Sequence, residues 1–187
     1  MKIVAVVGSG SNAGKTTLAC LLIGRIPGLG AVKISPCAGT ARIERGPGRR
    51  GKDTARFAAA GASPVARIVA AREQISELWK TIKPDFADCA AVVIEGAGGI
   101  SLPEEKFAIF VCGGGDSGGR KERADELIGA AQAILINDFH RSNNSMDTVD
   151  ILSHNPDKKL IIEIDLNNVD DPGIKRIVDS VSCFLGR

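Results

Sequence analysis

The chain contains no tyrosine, one tryptophan and six phenylalanines, too few aromatic faces for a single-strand nucleic-acid platform built on base stacking. Its five cysteines (Cys20, Cys37, Cys89, Cys112 and Cys183) are odd in number and include no CxxC pair. That argues against a disulfide framework or a zinc site and points to reduced thiols in a cytoplasmic setting. No apolar run approaches the ~20 residues of a membrane span, and Ile3 to Val7 is too short for the core of a secretory signal. Twenty-four basic side chains against 22 acidic ones leave a net charge of +2, so bulk charge indicates neither a nucleic-acid nor a membrane partner. The two histidines, His140 and His154, have no second ligand at helical spacing and read as surface residues.

What is present is an ordinary globular composition, 187 residues with 44% apolar and 25% charged side chains, expected to form a single domain over residues 1–187. Short runs that are apolar on both faces, as strands of a buried parallel sheet are, occur at Lys2–Val7, Ala31–Ile34, Ala91–Ile94, Phe107–Cys112, Ala133–Ile136 and Leu160–Ile164. Helix-like segments alternate with them: Lys15–Ile26, Pro64–Ile82, Arg120–Gln132, Ser145–His154 and Pro172–Leu185. Ser63 before Pro64 and Asp171 before Pro172 read as N-caps, and Gly186 as a stop. The expected fold is α/β with three layers, a mostly parallel sheet of about six or seven strands carrying helices on both faces.

Two stretches break this order. Residues 38–53 hold three glycines after Gly39, one proline and five Arg/Lys side chains from Arg42 to Lys52. Residues 113–119 have five glycines in seven positions. Loops of this length are either functional or plain surface connections. The first, with only Ala41 and Ile43 to bury, is expected to be mobile until an anionic ligand orders it. The second, followed by Arg120, Lys121 and Arg123, reads as a switch-like or dimer-contact loop, or as a simple connection.

The strongest signal is the run Gly8-Ser9-Gly10-Ser11-Asn12-Ala13-Gly14-Lys15-Thr16-Thr17 between an apolar strand and an apolar helix. Phosphates need several converging N–H donors, a cation and a hydroxyl that can hold a metal. Glycine-rich peptides turn N–H groups inward, and the helix N-terminus adds roughly half a positive charge. Lys15 would reach the terminal phosphates as a catalytic cation, and Thr16 would ligate Mg²⁺. Gly10, Ser11, Asn12, Ala13, Gly14, Lys15, Thr16 and Thr17 are therefore the candidate nucleotide-binding residues. The spacing is G-x5-G-K-T, one residue longer than the common phosphate loop.

A second acid on the metal side should close another buried strand. Val92-Val93-Ile94-Glu95 ends in one, and a carboxylate there needs a cation to meet it. Asp53, after the basic stretch and at the start of a helix, is either a further acid on the metal or a plain helix N-terminal acid. Asn137, which ends the strand Ala133–Ile136, would present its amide to a base or cap the strand end. An amide suits the N6/N7 edge of adenine, which favours ATP, with GTP kept open because Asp138 shifted by one place could serve guanine. Asp138 and His140 stand where a guanine reader of NKxD type has lysine and aspartate. Asp165-Leu166-Asn167-Asn168 reads as a polar turn.

Gly8–Thr17 together with Val93–Gly99 (VIEGAGG) resembles dethiobiotin synthetase, which shares the lengthened loop and the EGAGG turn. Gly14–Leu18 (GKTTL), Gly51–Arg56 (GKDTAR) and Ala60-Gly61-Ala62 resemble the molybdopterin-guanine dinucleotide biosynthesis B protein. Gly115-Asp116 with Arg120-Lys121 loosely resembles a strand end of nickel-inserting GTPases. These resemblances imply a P-loop NTPase of the SIMIBI class, often a homodimer, that binds and hydrolyses a Mg²⁺-bound triphosphate in cofactor biosynthesis alongside a protein partner. The alternative they imply is an ATP-dependent kinase or ligase of dethiobiotin synthetase type acting on a small anionic substrate. Lys33, near that family's lysine-proline turn, would then hold the substrate with help from the basic stretch. A nucleotide-sensing scaffold without turnover is the third reading.

Overall fold

A computed structural model describes residues 1–113, 124–137 and 159–187. They build one eight-stranded sheet. Its strands are β1 (Lys2–Gly8), β2 (Leu29–Pro36), β3 (Arg42–Arg45), β4 (Val65–Ala70), β5 (Ala91–Glu95), β6 (Lys106–Cys112), β7 (Ala133–Asn137) and β8 (Leu160–Ile164). Their spatial order is β3-β4-β2-β5-β1-β6-β7-β8. All pairs are parallel except β3 with β4. The helices are α1 (Lys15–Arg25), α2 (Asp53–Ala59), α3 (Ile75–Ile82), α4 (Ala124–Ala130) and α5 (Pro172–Leu185).

β1 sits in the middle and shows why the sheet has two covered faces. Val4 and Val6 belong to a core shared with Leu18 and Leu22 of α1, Phe57 of α2 and Ile177 of α5. Ile3 and Ala5 point the other way, to Trp79, Ile82 and Phe86, while Val7 meets Phe110 and the Leu127 and Ile128 side chains of α4. Every β1 side chain from Ile3 to Val7 is fully buried. Burying each such valine or isoleucine is worth about 1.5–3 kcal/mol, so two-sided burial anchors the strand that carries the glycine loop. Helix α5 matches its sequence signals: Asp171 accepts from the Gly173 N–H at 2.7 Å, and Gly186 closes the helix at φ 80°. Among the described residues no helix is long and apolar enough to cross a membrane.

Two strands raise the count above about six or seven, and both correct the sequence reading. The stretch 64–82 is not one helix. Val65–Ala70 is β4, Arg72–Gln74 is a 3-10 turn, and only Ile75–Ile82 is helical. Val65, Ile68 and Val69 are β-branched and buried against β2, where a pleated surface suits them better than a helix does. The helical period starts at Ile75, whose side chain is buried with Trp79 and Ile82. The basic stretch is likewise not a bare loop, because Arg42–Arg45 forms an antiparallel edge on β4. Ladder hydrogen bonds, plus Ala41 and Ile43 packed against the core, supply the ordering that its glycines lack. The expected helix Ser145–His154, the first residues of Arg120–Gln132, and Gly115, Asp116, Lys121, Arg123, Asp138, His140 and His154 lie outside the described residues.

Candidate functional site

In this sheet β1 stands between β5 and β6, so chain connections diverge at its C-terminal end, where open α/β sheets leave a crevice. A cleft of about 960 Å³ lies there, running from the glycine loop across the ends of β5 and β2 to the end of β4.

Gly10, Ser11, Asn12, Gly14, Lys15, Thr16 and Thr17 all line this cleft. Asn12 (φ 60°) and Gly14 (φ 101°) are left-handed, a conformation that asparagine tolerates and glycine adopts freely. A Cβ on Gly14 would also lie 2.5 Å from Leu166 Cδ1 and 3.0 Å from Asn137 Nδ2. No side chain caps the start of α1, the usual condition of a helix end that receives an anion. The Lys15 ammonium donates to the Gly10 carbonyl, folding back over the loop. Ala13 differs from its neighbours: its side chain is fully buried in the core instead of facing the cleft.

Behind the loop, four side chains form a closed ring. Thr16 Oγ1 lies 2.9 Å from Glu95 Oε2 and 3.3 Å from Asp53 Oδ1. The second oxygens, Glu95 Oε1 and Asp53 Oδ2, both contact Lys33 Nζ, the latter at 2.9 Å. Glu95 ends β5 and is 1% exposed, a burial that an unpaired carboxylate would not tolerate. Asp53 is the first residue of α2, so the helix start aims it at the ring. Burial opposes its ionisation, but Lys33, Thr16 and Arg56 outweigh burial and hold its carboxyl below the ordinary value. Gly96 lets the chain leave Glu95: it has φ 127°, and a Cβ there would lie 2.3 Å from the Ile34 carbonyl oxygen. Removing one partner of such a buried ion pair typically costs about 3–5 kcal/mol.

Asn137 is brought to the loop but set beneath it. It is 6% exposed, donates from Nδ2 to the Ala13 carbonyl at 3.4 Å and accepts at Oδ1 from the Leu166 N–H at 3.3 Å. It thereby ties the loop to the turn after β8. Lys33 is at the cleft, but the residues 42–52 that were expected to assist it are not among those lining it. The arginines that do line it are Arg56, 3.4 Å from Thr17 Oγ1, and Arg72, paired with Glu126 of α4 at 2.9 Å. Arg56 enters the sequence reading only as the end of the GKDTAR run, with no role assigned, and Arg72 does not enter it at all. Had Val65–Ala70 been recognised as a strand, Arg72 just beyond its C-terminal end would have stood out.

No family model and no curated protein matches this sequence. Solved structures do resemble it. HypB from Helicobacter pylori in complex with nickel is similar at a TM-score of 0.67 and 12% identity, over 98% of this chain and 86% of that one. The hydrogenase maturation factor HypB from Archaeoglobus fulgidus is similar at a TM-score of 0.59 and 18% identity, over 96% of this chain and 88% of that one. At such identities the likeness shows the fold alone, an α/β architecture with a mostly parallel sheet.

Proposed function

We propose that this chain binds a Mg²⁺-nucleoside triphosphate at the glycine loop and hydrolyses it to drive a step of metal-cofactor assembly, in the manner of the molybdopterin-guanine dinucleotide biosynthesis B family. The observation that carries the reading is the meeting of Thr16, Asp53 and Glu95 beside the loop that presents Lys15. A hydroxyl and two carboxylates are hard oxygen donors of the kind that Mg²⁺ takes, so these three residues would hold it. When bound, the ion would neutralise charge on the phosphate oxygens. Lys15 would turn from the Gly10 carbonyl to the terminal phosphate, and the uncapped start of α1 would add N–H donors. Ala13 would contribute backbone only, because its side chain faces the core.

The similarity to HypB, described as a hydrogenase maturation factor in one case and as a nickel complex in the other, supports a role in building a metal centre. Among the described residues no group of three or more His, Cys, Asp or Glu side chains could hold a metal ion, so nickel as cargo has no support from them. The base is left to either ATP or GTP. The leaning to ATP rested on the Asn137 amide, which is engaged at both ends by Ala13 and Leu166.

A second reading, phosphoryl transfer to a small anionic acceptor, is favoured by the cleft's extension past Lys33 to Arg72, with Ile34 and Ile75 as apolar walls. Calorimetric titration with ATP and GTP, each with and without Mg²⁺, tests the first reading. It requires tight binding of at least one of them that weakens when Mg²⁺ is removed. Product analysis then separates the two readings, since hydrolysis without any added metabolite supports the first and strict dependence on an added acid supports the second.

A further inference from the structure

The ring of Thr16, Asp53, Glu95 and Lys33 holds more information than the identity of its acids. Each carboxylate gives one oxygen to Thr16 and the other to Lys33. A threonine hydroxyl has one proton to donate. That one proton is shared by two carboxylates, Glu95 at 2.9 Å and Asp53 at 3.3 Å. Three oxygen atoms thus converge on one side of the ring, and the Lys33 ammonium, 19% exposed, contacts both carboxylates from the other, with the Arg56 cation acting on Asp53 from farther off. Within the ring two carboxylates and one ammonium sum to −1. A divalent ion added to the intact ring would bring two cations close together around the same acids.

Resting on the reading of Thr16, Asp53 and Glu95 as the Mg²⁺-side residues, we propose that Lys33 is a built-in counter-cation that exchanges with the metal. In the ligand-free protein Lys33 satisfies Asp53 and Glu95 and keeps free divalent ions out. Metal enters with the nucleotide, because a phosphate anion is then present to take over the displaced ammonium, which already borders the cleft. The device makes metal binding conditional on nucleotide and keeps Lys33 available for charge on the transferring group or on an acceptor.

The test is a Mn²⁺ titration followed by electron paramagnetic resonance, without nucleotide and with a non-hydrolysable triphosphate. Wild type is expected to bind Mn²⁺ weakly alone and tightly with nucleotide. Lys33→Met and Lys33→Gln are each expected to bind Mn²⁺ alone at least about tenfold tighter than wild type, since a repelling charge has gone. Unchanged or weaker Mn²⁺ binding by both variants would overturn the exchange. The glutamine variant keeps a hydrogen-bond donor in case methionine leaves the acids too exposed to each other. If both variants unfold in metal-free buffer, circular dichroism should show them refolding when Mg²⁺ alone is added. Failure to refold at saturating Mg²⁺ would assign Lys33 a fixed structural role and overturn the proposal. Glu95→Gln separates the two levels of the argument. If it leaves nucleotide-dependent Mn²⁺ binding intact, the metal-site reading itself fails. If it abolishes that binding while the Lys33 variants match wild type, only the exchange fails.

Discussion

The glycine-rich segment 8–17 and the basic segment 38–53 both carry glycines and cations and both follow an apolar strand, yet the first lines the cleft along most of its length, whereas of the second only Asp53 reaches it. The first leaves the central strand and enters α1 at the crevice. The second leaves β2, runs outward and adds an antiparallel strand at the edge of the sheet. Two of its five cations turn to neighbouring acids, Arg42 to Glu44 and Arg45 to Asp85, both at 2.8 Å. Glycine and positive charge alone therefore do not bring a segment to the cleft. Both segments run into a helix, and what separates them is the sheet: β1 is central and ends where the chain connections diverge, whereas β3 stands at the edge.

Substitutions in the two segments should separate sharply. The largest effect is expected at Lys15: Lys15→Ala should lower turnover by about 10²-fold or more, the scale of losing one strong electrostatic stabiliser. Calorimetry should show weakened binding of Mg-nucleotide while the melting temperature of the free protein barely moves. Unaltered affinity would remove the phosphate-loop reading. Next comes Glu95→Gln, expected to cost Mg²⁺-dependent nucleotide affinity about tenfold through a lost metal-side charge. Asp53→Asn should act in the same sense but less, because Asp53 is the more exposed of the pair and makes the longer contact with Thr16. Equal affinities with and without Mg²⁺ in both variants would show that neither acid faces the metal.

A smaller effect is set by acid. The folded-state value of Asp53 is lowered from 3.8, so its contribution to stability is present above that pH and is lost as pH falls through the lowered value. Melting curves taken from pH 5 downward should show wild type losing stability in this window and Asp53→Asn losing less. The smallest effect belongs to the basic segment. Arg49 and Arg50 are exposed, and Arg49→Ala/Arg50→Ala should leave nucleotide affinity within about twofold, as expected of surface positions. A tenfold loss measured by the same calorimetry would erase the contrast between the two segments and return the basic stretch to the site.

Much of this arrangement is legible in the sequence because it depends on neighbours along the chain. The two-sided apolar runs of β1, β5, β6, β7 and β8, the caps of α5, the strand–glycine–helix order around Lys15 and the acid that closes β5 are all local patterns. Burial and backbone geometry act on them directly. The stretch 64–82 was not legible in this way. VARIVA carries three β-branched residues, but with Ser63-Pro64 reading as a helix start before it and the helical period of Ile75, Trp79 and Ile82 after it, the strand is set apart only by its pairing with β2. The edge strand Arg42–Arg45 exists only because β4 lies beside it.

By itself the sequence determined that a glycine-rich loop would stand between a buried strand and a helix, and that a buried glutamate would need a cation. It could not say which cation stands there. That was decided by the tertiary structure, which lays β2 beside β5 and α2 behind the loop, setting Lys33, Asp53, Glu95 and Thr16 in one ring from four separate elements. The physical reason is range. Strand and helix preferences are settled among near neighbours, whereas the charge balance of a buried site depends on groups that only chain folding brings within a few ångströms.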